Sequence, residues 1–286
     1  MSKPVLDSDL LHDFIIRGLE EDVKDGDHTS LACIPENQKS KARLLVKDDG
    51  VISGIAIAEA IFKHLDPNAK IDIRIEDGDD VKYGDEAFYL ECNSQALLKG
   101  ERLALNSMQR LSGISTLSRQ FQKEVEGLNV QILDTRKTTP LLRFLEKWAV
   151  AVGGCTNYRD GLYDWIMIKD NHIDAAGSIT KAIQKVNKYL RENSKDLGIT
   201  VEVRNLKELD EVLKEGNITR IMLDNFEIRD IKKALKKIDG RFESEVSGGV
   251  KLNVVRTLAE TGVDFISVGA LTHSARSLDL SLKIIK

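Results

Sequence analysis

The clearest pattern in this chain is a regular alternation of short apolar strands and helices after residue 129. The predicted strands start roughly 20 to 35 residues apart, which is the length of a βα unit. Apolar, β-branched strands between helices favour a parallel sheet that is covered by helices. Because nearly every strand ends in the same polar way, we expect a closed or nearly closed barrel. The six predicted strands begin at Val130, Trp165, Ile199, Arg220, Phe242 and Phe265.

The part of the chain before residue 129 has a mixed pattern. A short apolar run from Ala42 predicts a strand, and the alternation in KIDIRIE from Lys70 predicts another. The segment from Ile55 to Leu65 predicts a buried helix. Leucines at helical spacing predict a long helix from about Ser94 to Gln120. Strands followed by helices in this arrangement indicate an α+β domain.

Each of the six predicted strands ends in polar or glycine residues. Side chains at the carboxyl ends of barrel strands face one shared mouth, where such folds keep their active sites. A single polar strand end is explained equally well by a solvated ion pair or a tight turn. Six in succession, with both charge signs, indicate a common site. These ends are Asp134 to Lys137, Lys169 to Asn171, Glu202 with Arg204, Asp224 with Asn225, Ser247 to Gly249, and Gly269.

The cations of this set point to a polyanionic ligand. Arg136, Lys137, Arg159 and Lys169 all lie on or near the first two predicted strands. An arginine presents a planar fork that suits carboxylate or phosphate, whereas a lysine is a point charge. Several cations at one mouth repel each other unless an anion lies between them, so we expect the substrate to carry more than one negative charge.

The acidic and glycine-rich strand ends point to a phosphorylated sugar and a divalent metal. Glu202 and Asp224 lie on adjacent strands, and paired carboxylates beside phosphates hold Mg²⁺ or sugar hydroxyls. Gly249 and Gly269 are each followed by a predicted helix, whose first N–H groups can hold a phosphate. The residues alone therefore predict an enzyme that handles an anionic acid and a phosphorylated sugar, without naming either substrate.

Composition excludes several other classes of protein. A net charge of −4 gives no basic field for nucleic acid or an anionic membrane. We find no secretory signal and no apolar run near the ~18 residues that span a bilayer. Cys33, Cys92 and Cys155 lie far apart and match no metal spacing, so we expect reduced thiols in a cytoplasmic protein. Cys155 is interpreted as a packing residue and His273 as a surface residue.

Long blocks of the sequence resemble the quinolinate phosphoribosyltransferase family, also called nicotinate-nucleotide pyrophosphorylase (carboxylating). The blocks follow one another in the family's order through most of the chain, which makes the signal highly specific. They are GDHT from Gly26, ERLALNSMQRLSGIST from Glu101, LDTRKTTP from Leu133, GGCTNYRDGLYDWIMIKDNHI from Gly153, VEVRNLKEL from Val201, RIMLDNF from Arg220, and TGVDFISVGALTHSA from Thr261.

The resemblance implies an N-terminal α/β sandwich domain of residues 1–113, to which residues 273–286 return. It implies an incomplete βα barrel of residues 114–272, the type II phosphoribosyltransferase architecture. The implied reaction is that of nicotinate-nucleotide diphosphorylase (carboxylating) in de novo NAD synthesis, with Mg²⁺. In it quinolinate and 5-phosphoribosyl 1-pyrophosphate give nicotinate mononucleotide, pyrophosphate and CO₂. A homodimer or higher homo-oligomer is also implied, with Arg102 shared across subunits.

The resemblance also assigns residue roles. Where the family usually has Asn-His-Arg, this chain has Asn157, Tyr158 and Arg159, and a tyrosine cannot carry the positive charge of a histidine. The quinolinate-binding residues would be Arg102, Arg136, Tyr158, Arg159 and Lys169. The residues for phosphoribosyl pyrophosphate would be Thr135, Lys137, Glu202, Asp224, Ser247, Gly248, Gly249, Val268, Gly269 and Ala270. Glu202 and Asp224 would also hold the metal, directly or through water.

Two other interpretations stay open at this point. One is a homologue of the same fold with another task, either a molybdenum-transport-associated relative or a nicotinate-specific phosphoribosyltransferase. The cation cluster favours a dicarboxylate over nicotinate. The other is a non-catalytic anion-binding or scaffold protein, and the pair Glu202 and Asp224 argues against it because a scaffold has no use for them.

Overall fold

The structure is a computed structural model that describes residues 4–285, and these residues form two units. The first unit contains residues 4–119, 139–154 and 274–285. The second contains residues 120–138 and 155–273. The boundary between them falls inside one long helix, α4 (Ser94–Glu124).

The first unit is built on a four-stranded antiparallel sheet. The last strand along the chain, β12 (Leu280–Ile285), pairs with the first strand, β1 (Lys39–Val46). The inward positions of β1 are Ala42, Leu44 and Val46, which alternate with more exposed residues as a half-buried strand requires. The sheet order is β12, β1, β5 (Glu86–Asn93) and β3 (Lys70–Ile73), and a separate pair joins β2 (Gly50–Val51) to β4 (Asp80–Val81).

The helices of the first unit include the predicted buried helix at the predicted bounds, α3 (Ile55–Leu65). Its start is fixed by Asp77, whose Oδ1 accepts hydrogen bonds from the backbone N–H groups of Gly54 and Ile55 at 2.6 and 2.8 Å. Such a carboxylate satisfies donors that the first helical turn leaves without partners. The remaining helices are α1 (Ser8–Val23), α2 (His28–Cys33), α5 (Arg143–Val152) and most of α4.

The second unit contains six parallel strands, and all six follow the predicted pattern. Their spatial order places the first and second strands at opposite ends, so the barrel is incomplete. Every residue of the third strand is buried, as expected when helices cover a parallel sheet. The strands are β6 (Gln131–Leu133), β7 (Ile166–Ile168), β8 (Ile199–Val203), β9 (Arg220–Asp224), β10 (Glu243–Ser247) and β11 (Phe265–Ser267), in the order β6-β11-β10-β9-β8-β7.

Helices follow the strands of the second unit, and polar side chains start several of them. Asn205 begins one by accepting hydrogen bonds from Lys207 and Glu208, and Ser178 begins another by accepting from Lys181. The helices are α6 (Asp170–Ala176), α7 (Ile179–Glu192), α8 (Leu206–Glu215), α9 (Ile228–Ile238), α10 (Leu252–Ala259) and α11 (Ala270–His273). The expected α/β fold, with an antiparallel sheet domain and an incomplete βα barrel, is confirmed.

Candidate active site

The predicted site residues of the second unit lie at the carboxyl ends of its parallel strands. Asp134 directly follows β6, Lys169 directly follows β7, and Glu202 lies near the end of β8. Asp224 and Ser247 are the last residues of β9 and β10, and they stand opposite each other in the pairing of these strands. Strand ends that are neighbours in a sheet face the same opening, which we call the barrel mouth.

Two arginines form the cationic part of this mouth. The guanidinium of Arg159 is held by the backbone carbonyl of Trp165 at 3.1 Å and contacts the Met167 sulfur at 3.6 Å. Burial lowers the pKa of Arg159, and the positive charge of Arg136 lowers that pKa further. The two positive charges therefore repel each other, and a dianion bound beside them would relieve this repulsion.

Glu202, which is predicted to hold the metal, forms an ion pair with Lys169, which is predicted to bind quinolinate. Lys169 Nζ lies 3.2 Å from Glu202 Oε2, and Glu202 is only 9% exposed. The lysine also begins α6, with its backbone N–H donating to His172 Nδ1 at 3.0 Å. A carboxylate this buried needs a cation nearby, and Lys169 supplies it.

The glycine turn after β10 packs directly on the residue after β9. Asn225 donates its backbone N–H to the Ser247 carbonyl at 2.9 Å and its side-chain amide to Asp224 Oδ2 at 2.7 Å. Gly248 has a φ of +105°, and a Cβ atom there would lie 2.2 Å from Asn225 Oδ1. Only glycine fits this approach, so Gly248 keeps the β9 and β10 ends, and Gly249 beyond them, in one cluster.

The residues after β6 and β11 form a second cluster. The Lys137 N–H donates to Thr135 Oγ1 at 3.1 Å, and Thr272 Oγ1 donates to the Lys137 carbonyl at 2.8 Å. A Cβ atom on Gly269 would lie 3.0 Å from Lys137 Cδ and 3.2 Å from His273 Nε2. His273 is exposed, as predicted from the sequence, but it also belongs to this cluster, which was not predicted. The signal available in the sequence was that His273 lies four residues after Gly269, the glycine that follows β11.

Tyr158 is placed at the barrel interior. Its backbone N–H donates to Asp134 Oδ1 at 2.8 Å, and its hydroxyl lies 2.6 Å from Thr200 Oγ1 on β8. Burial raises the pKa of this phenol, and the nearby carboxylate of Glu245 raises it further. The hydroxyl therefore stays protonated and directed at the strands, and its contact with quinolinate stays a prediction.

Four further residues that the sequence singled out have the following positions. Arg102 is exposed on α4 in the first unit, so its role in a neighbouring subunit stays a prediction. Val268 is 1% exposed and contributes its backbone, donating to the Leu133 carbonyl at 2.9 Å, while Ala270 begins α11. Arg204 turns to α8 instead, where its guanidinium donates to Glu208 Oε1 at 2.6 and 2.9 Å.

The carboxylates at the barrel mouth suit a metal ion that binds together with a phosphorylated substrate. Within residues 4–285 no three histidine, cysteine or carboxylate side chains gather into a metal site. Glu202 and Asp224 offer carboxylate oxygens from adjacent strands. Mg²⁺ is usually held by one or two carboxylates together with substrate phosphates and water, and these two residues fit that pattern.

Fold and site together define an α/β enzyme class in which an incomplete βα barrel presents cations, carboxylates and glycine turns to a phosphorylated, anionic substrate. Family models described as the quinolinate phosphoribosyl transferase N-terminal and C-terminal domains match residues 27–112 and 114–283. The chain belongs to the quinolinate phosphoribosyltransferase family.

Named relatives and a solved structure agree with this membership. The chain is 44% identical over 281 residues to quinolinate phosphoribosyltransferase [decarboxylating] 1b of Nicotiana tabacum, covering 93% of this chain and 80% of the relative. It is 40% identical to the probable nicotinate-nucleotide pyrophosphorylase [carboxylating] of Bacillus subtilis (strain 168), covering 92% and 90%. The crystal structure of NadC from Streptococcus pyogenes superposes with a TM-score of 0.92 at 34% identity, covering 99% of each chain.

Across residues 4–285, every helix is too short or too polar to span a bilayer.

Proposed function

We propose that this chain transfers the phosphoribosyl group of 5-phosphoribosyl 1-pyrophosphate to quinolinate with loss of CO₂. The products are nicotinate mononucleotide and pyrophosphate, in de novo NAD synthesis. The observation that carries the proposal is the mutual repulsion of Arg136 and Arg159, at a mouth that also holds Lys169 and Lys137. Quinolinate carries two adjacent carboxylates, which match such a group of cations.

The phosphorylated substrate is assigned to the two clusters at the strand ends. Glu202 and Asp224 are the acceptors available to ribose hydroxyls. The turns at Gly248 and Gly269 bring backbone N–H groups close enough for a phosphate. Lys137 lies over Gly269, where it can meet the negative charge of a phosphate or pyrophosphate. The protein thus needs to position two anions and to neutralise a leaving group, without a covalent nucleophile.

A bound Mg²⁺ would be held by Glu202 and Asp224, directly or through water. It would supply positive charge to the pyrophosphate as that group departs. Decarboxylation leaves negative charge on the pyridine ring, and excess stabilisation of the carboxylate ground state would slow that step. The arginines therefore serve substrate binding and specificity more than the loss of CO₂.

A quinolinate assay tests the proposal directly. Purified protein with Mg²⁺ and phosphoribosyl pyrophosphate is expected to consume quinolinate and release CO₂ and pyrophosphate in equal amounts. Arg136→Ala is expected to lose about 2–5 kcal/mol of quinolinate affinity, the usual cost of breaking a charge-assisted pair. Arg256→Ala is the matched control, since this arginine is 52% exposed on its side chain, lies in the last turn of α10 and pairs with Glu260. Nicotinate turnover at a similar rate would instead favour the nicotinate-specific alternative.

Assembly and location are further parts of the proposal. We propose a homodimer or higher oligomer in which Arg102 enters the barrel of the neighbouring subunit. Mixing Arg102→Ala with Arg136→Ala protein is then expected to restore part of the activity, because some mixed sites combine two intact residues. No recovery in the mixture would count against a shared site. A cytoplasmic location is proposed too, and cell fractionation tests it.

A further inference from the structure

The interior of the barrel beneath Arg159 contains a continuous chain of hydrogen bonds. Trp165 Nε1 lies 2.8 Å from Thr200 Oγ1, and Thr200 Oγ1 lies 2.6 Å from the Tyr158 hydroxyl. The carboxylate of Glu245 on β10 is close enough to Tyr158 for its negative charge to raise the pKa of the phenol. Three side chains from different parts of the second unit are thereby connected, and Glu245 lies near the last of them.

One hydrogen bond of this chain has a fixed direction. The indole N–H of Trp165 can only donate, so Thr200 accepts from it. Between Thr200 and Tyr158 either hydroxyl can be the donor, because each carries one proton and two acceptor lone pairs. Loss of the Tyr158 hydroxyl takes a partner from the fully buried Thr200, and loss of the Thr200 hydroxyl takes a partner from both Trp165 and Tyr158.

Glu245, beside this chain, has hydrogen-bond partners of its own. It is fully buried, and it accepts hydrogen bonds from Ser267 Oγ and from Arg220 Nη1, the latter at 3.3 Å. Arg220 is itself 6% exposed, with its guanidinium 3.7 Å from the centre of the Phe265 ring and 4.9 Å from that of Tyr158. Stacking on two rings and pairing with a carboxylate leave this arginine little freedom to move.

Two paths lead from this chain to Arg159, one along the backbone and one through a hydrogen bond. Tyr158 precedes Arg159 directly, and its own backbone is held by Asp134 at 2.8 Å. Trp165 is the second path: its indole belongs to the chain, while its backbone carbonyl accepts from Arg159 Nη1 at 3.1 Å. Thr200 thus acts on both paths, because it holds the indole of Trp165 and the phenol of Tyr158 at once.

We propose that Tyr158 and Thr200 are positioning residues for the dicarboxylate substrate. These two residues hold the guanidinium of Arg159 in place from the barrel interior and do not touch the substrate. The inference rests on the proposed function, since it assigns Arg159 to a quinolinate carboxylate. It differs from the expectation that Tyr158 binds quinolinate itself. The hydroxyl lies 2.6 Å from Thr200 Oγ1, a fully buried atom on β8, and so is directed to the barrel interior.

Removal of single hydroxyl groups tests this inference. Tyr158→Phe and Thr200→Val each delete one link and keep the shape of the side chain. Each is expected to raise the KM for quinolinate about five- to tenfold, as the loss of one buried hydrogen bond would. The kcat and the KM for phosphoribosyl pyrophosphate are expected to stay within about twofold, because Glu202, Asp224 and the glycine turns are untouched. Tyr189→Phe is the control, a tyrosine that is 50% exposed on α7 and outside the site.

A second measurement asks whether the effect passes through Arg159. In an Arg159→Lys background, which lacks the guanidinium fork, Tyr158→Phe is expected to cause no further rise in the KM for quinolinate. Thr200→Val combined with Tyr158→Phe is expected to resemble either single variant, because both break the same chain. Full additivity in either experiment would overturn the inference.

The outcomes separate the inference from the function on which it rests. If wild-type protein does not turn over quinolinate, both fail. If the wild type is active and both hydroxyl deletions leave the KM for quinolinate unchanged, only the inference fails. An equal rise in the KM for both substrates, together with a lower melting temperature, would mean that these hydrogen bonds only stabilise the fold. The inference would then fail. If Tyr158→Phe does not fold, Thr200→Val carries the same test.

Discussion

Replacing Arg110 by methionine is expected to destabilise the first unit strongly. Arg110 lies on α4, and its Nε and Nη2 atoms donate to Glu146 Oε1 at 3.0 and 2.9 Å. Glu146 on α5 is fully buried, and it also accepts from the backbone N–H and hydroxyl of Thr139 at 3.0 and 2.7 Å. Methionine keeps the packing volume and leaves this carboxylate without its cation.

The size of the effect follows from that burial. Breaking a buried ion pair by removing one partner costs about 3–5 kcal/mol, because the remaining charge stays desolvated. The side chain of Arg110 is 26% exposed and both Thr139 hydrogen bonds remain, so we expect the lower end, about 3 kcal/mol. A domain is typically stable by only ~5–15 kcal/mol, so the change is readily measured by urea denaturation as a lower midpoint at constant slope.

Two further variants make the Arg110 experiment decisive. Arg17→Met is the matched control, because its partner Asp13 and Arg17 itself are 56% and 68% exposed and such pairs contribute about 0–1 kcal/mol. Replacing both Arg110 and Glu146 by methionine is expected to recover much of the loss, since no buried charge is left. The reasoning is refuted if Arg110→Met behaves like Arg17→Met, or if the double variant is no more stable than Arg110→Met alone.

Three other predictions concern the second unit and the thiols. Gly248→Ala is expected to abolish most activity, because its Cβ would lie 2.2 Å from Asn225 Oδ1; steady-state kinetics on folded protein checks this. Arg204→Met is expected to keep kcat/KM within about twofold, since Arg204 pairs with α8 instead of the mouth. Iodoacetamide at about pH 8 is expected to label exposed Cys33 well before Cys92, because burial raises the pKa of the Cys92 thiol to about 11; mass spectrometry of the labelled peptides measures the order.

The sequence predicted the elements of this fold because hydrophobic period and strand composition are local signals. The helix from Ile55 to Leu65 appears at its predicted bounds, and the strand predicted from Ile199 begins there. Pairing between distant segments is a different matter. That β12 would join β1 depends on contacts between residues more than 230 positions apart, as in the pair Leu44 and Leu282. No local pattern encodes that pairing, and only the resemblance implied it.

The candidate site shows the same difference between residues that local patterns predict and residues that depend on distant contacts. Strand ends such as Lys169 and Asp224 were found because parallel strands present their carboxyl ends at one edge, so position along the strand suffices. Glu245 was missed because it lies two residues before a strand end, where an alternating strand points a side chain into the barrel. A carboxylate at that position has no local explanation until Arg220 is found on the neighbouring strand.

The case of Tyr158 shows why residue type alone cannot assign a role at this site. In the sequence it stands between Asn157 and Arg159, so a substrate contact is the simplest interpretation. In the structure the Tyr158 hydroxyl lies 2.6 Å from Thr200 Oγ1, a buried atom that also accepts from the indole of Trp165, and this position favours a positioning role. If Arg159 binds a substrate carboxylate as proposed, loss of a polar group in the barrel interior is expected to act on the substrate through Arg159.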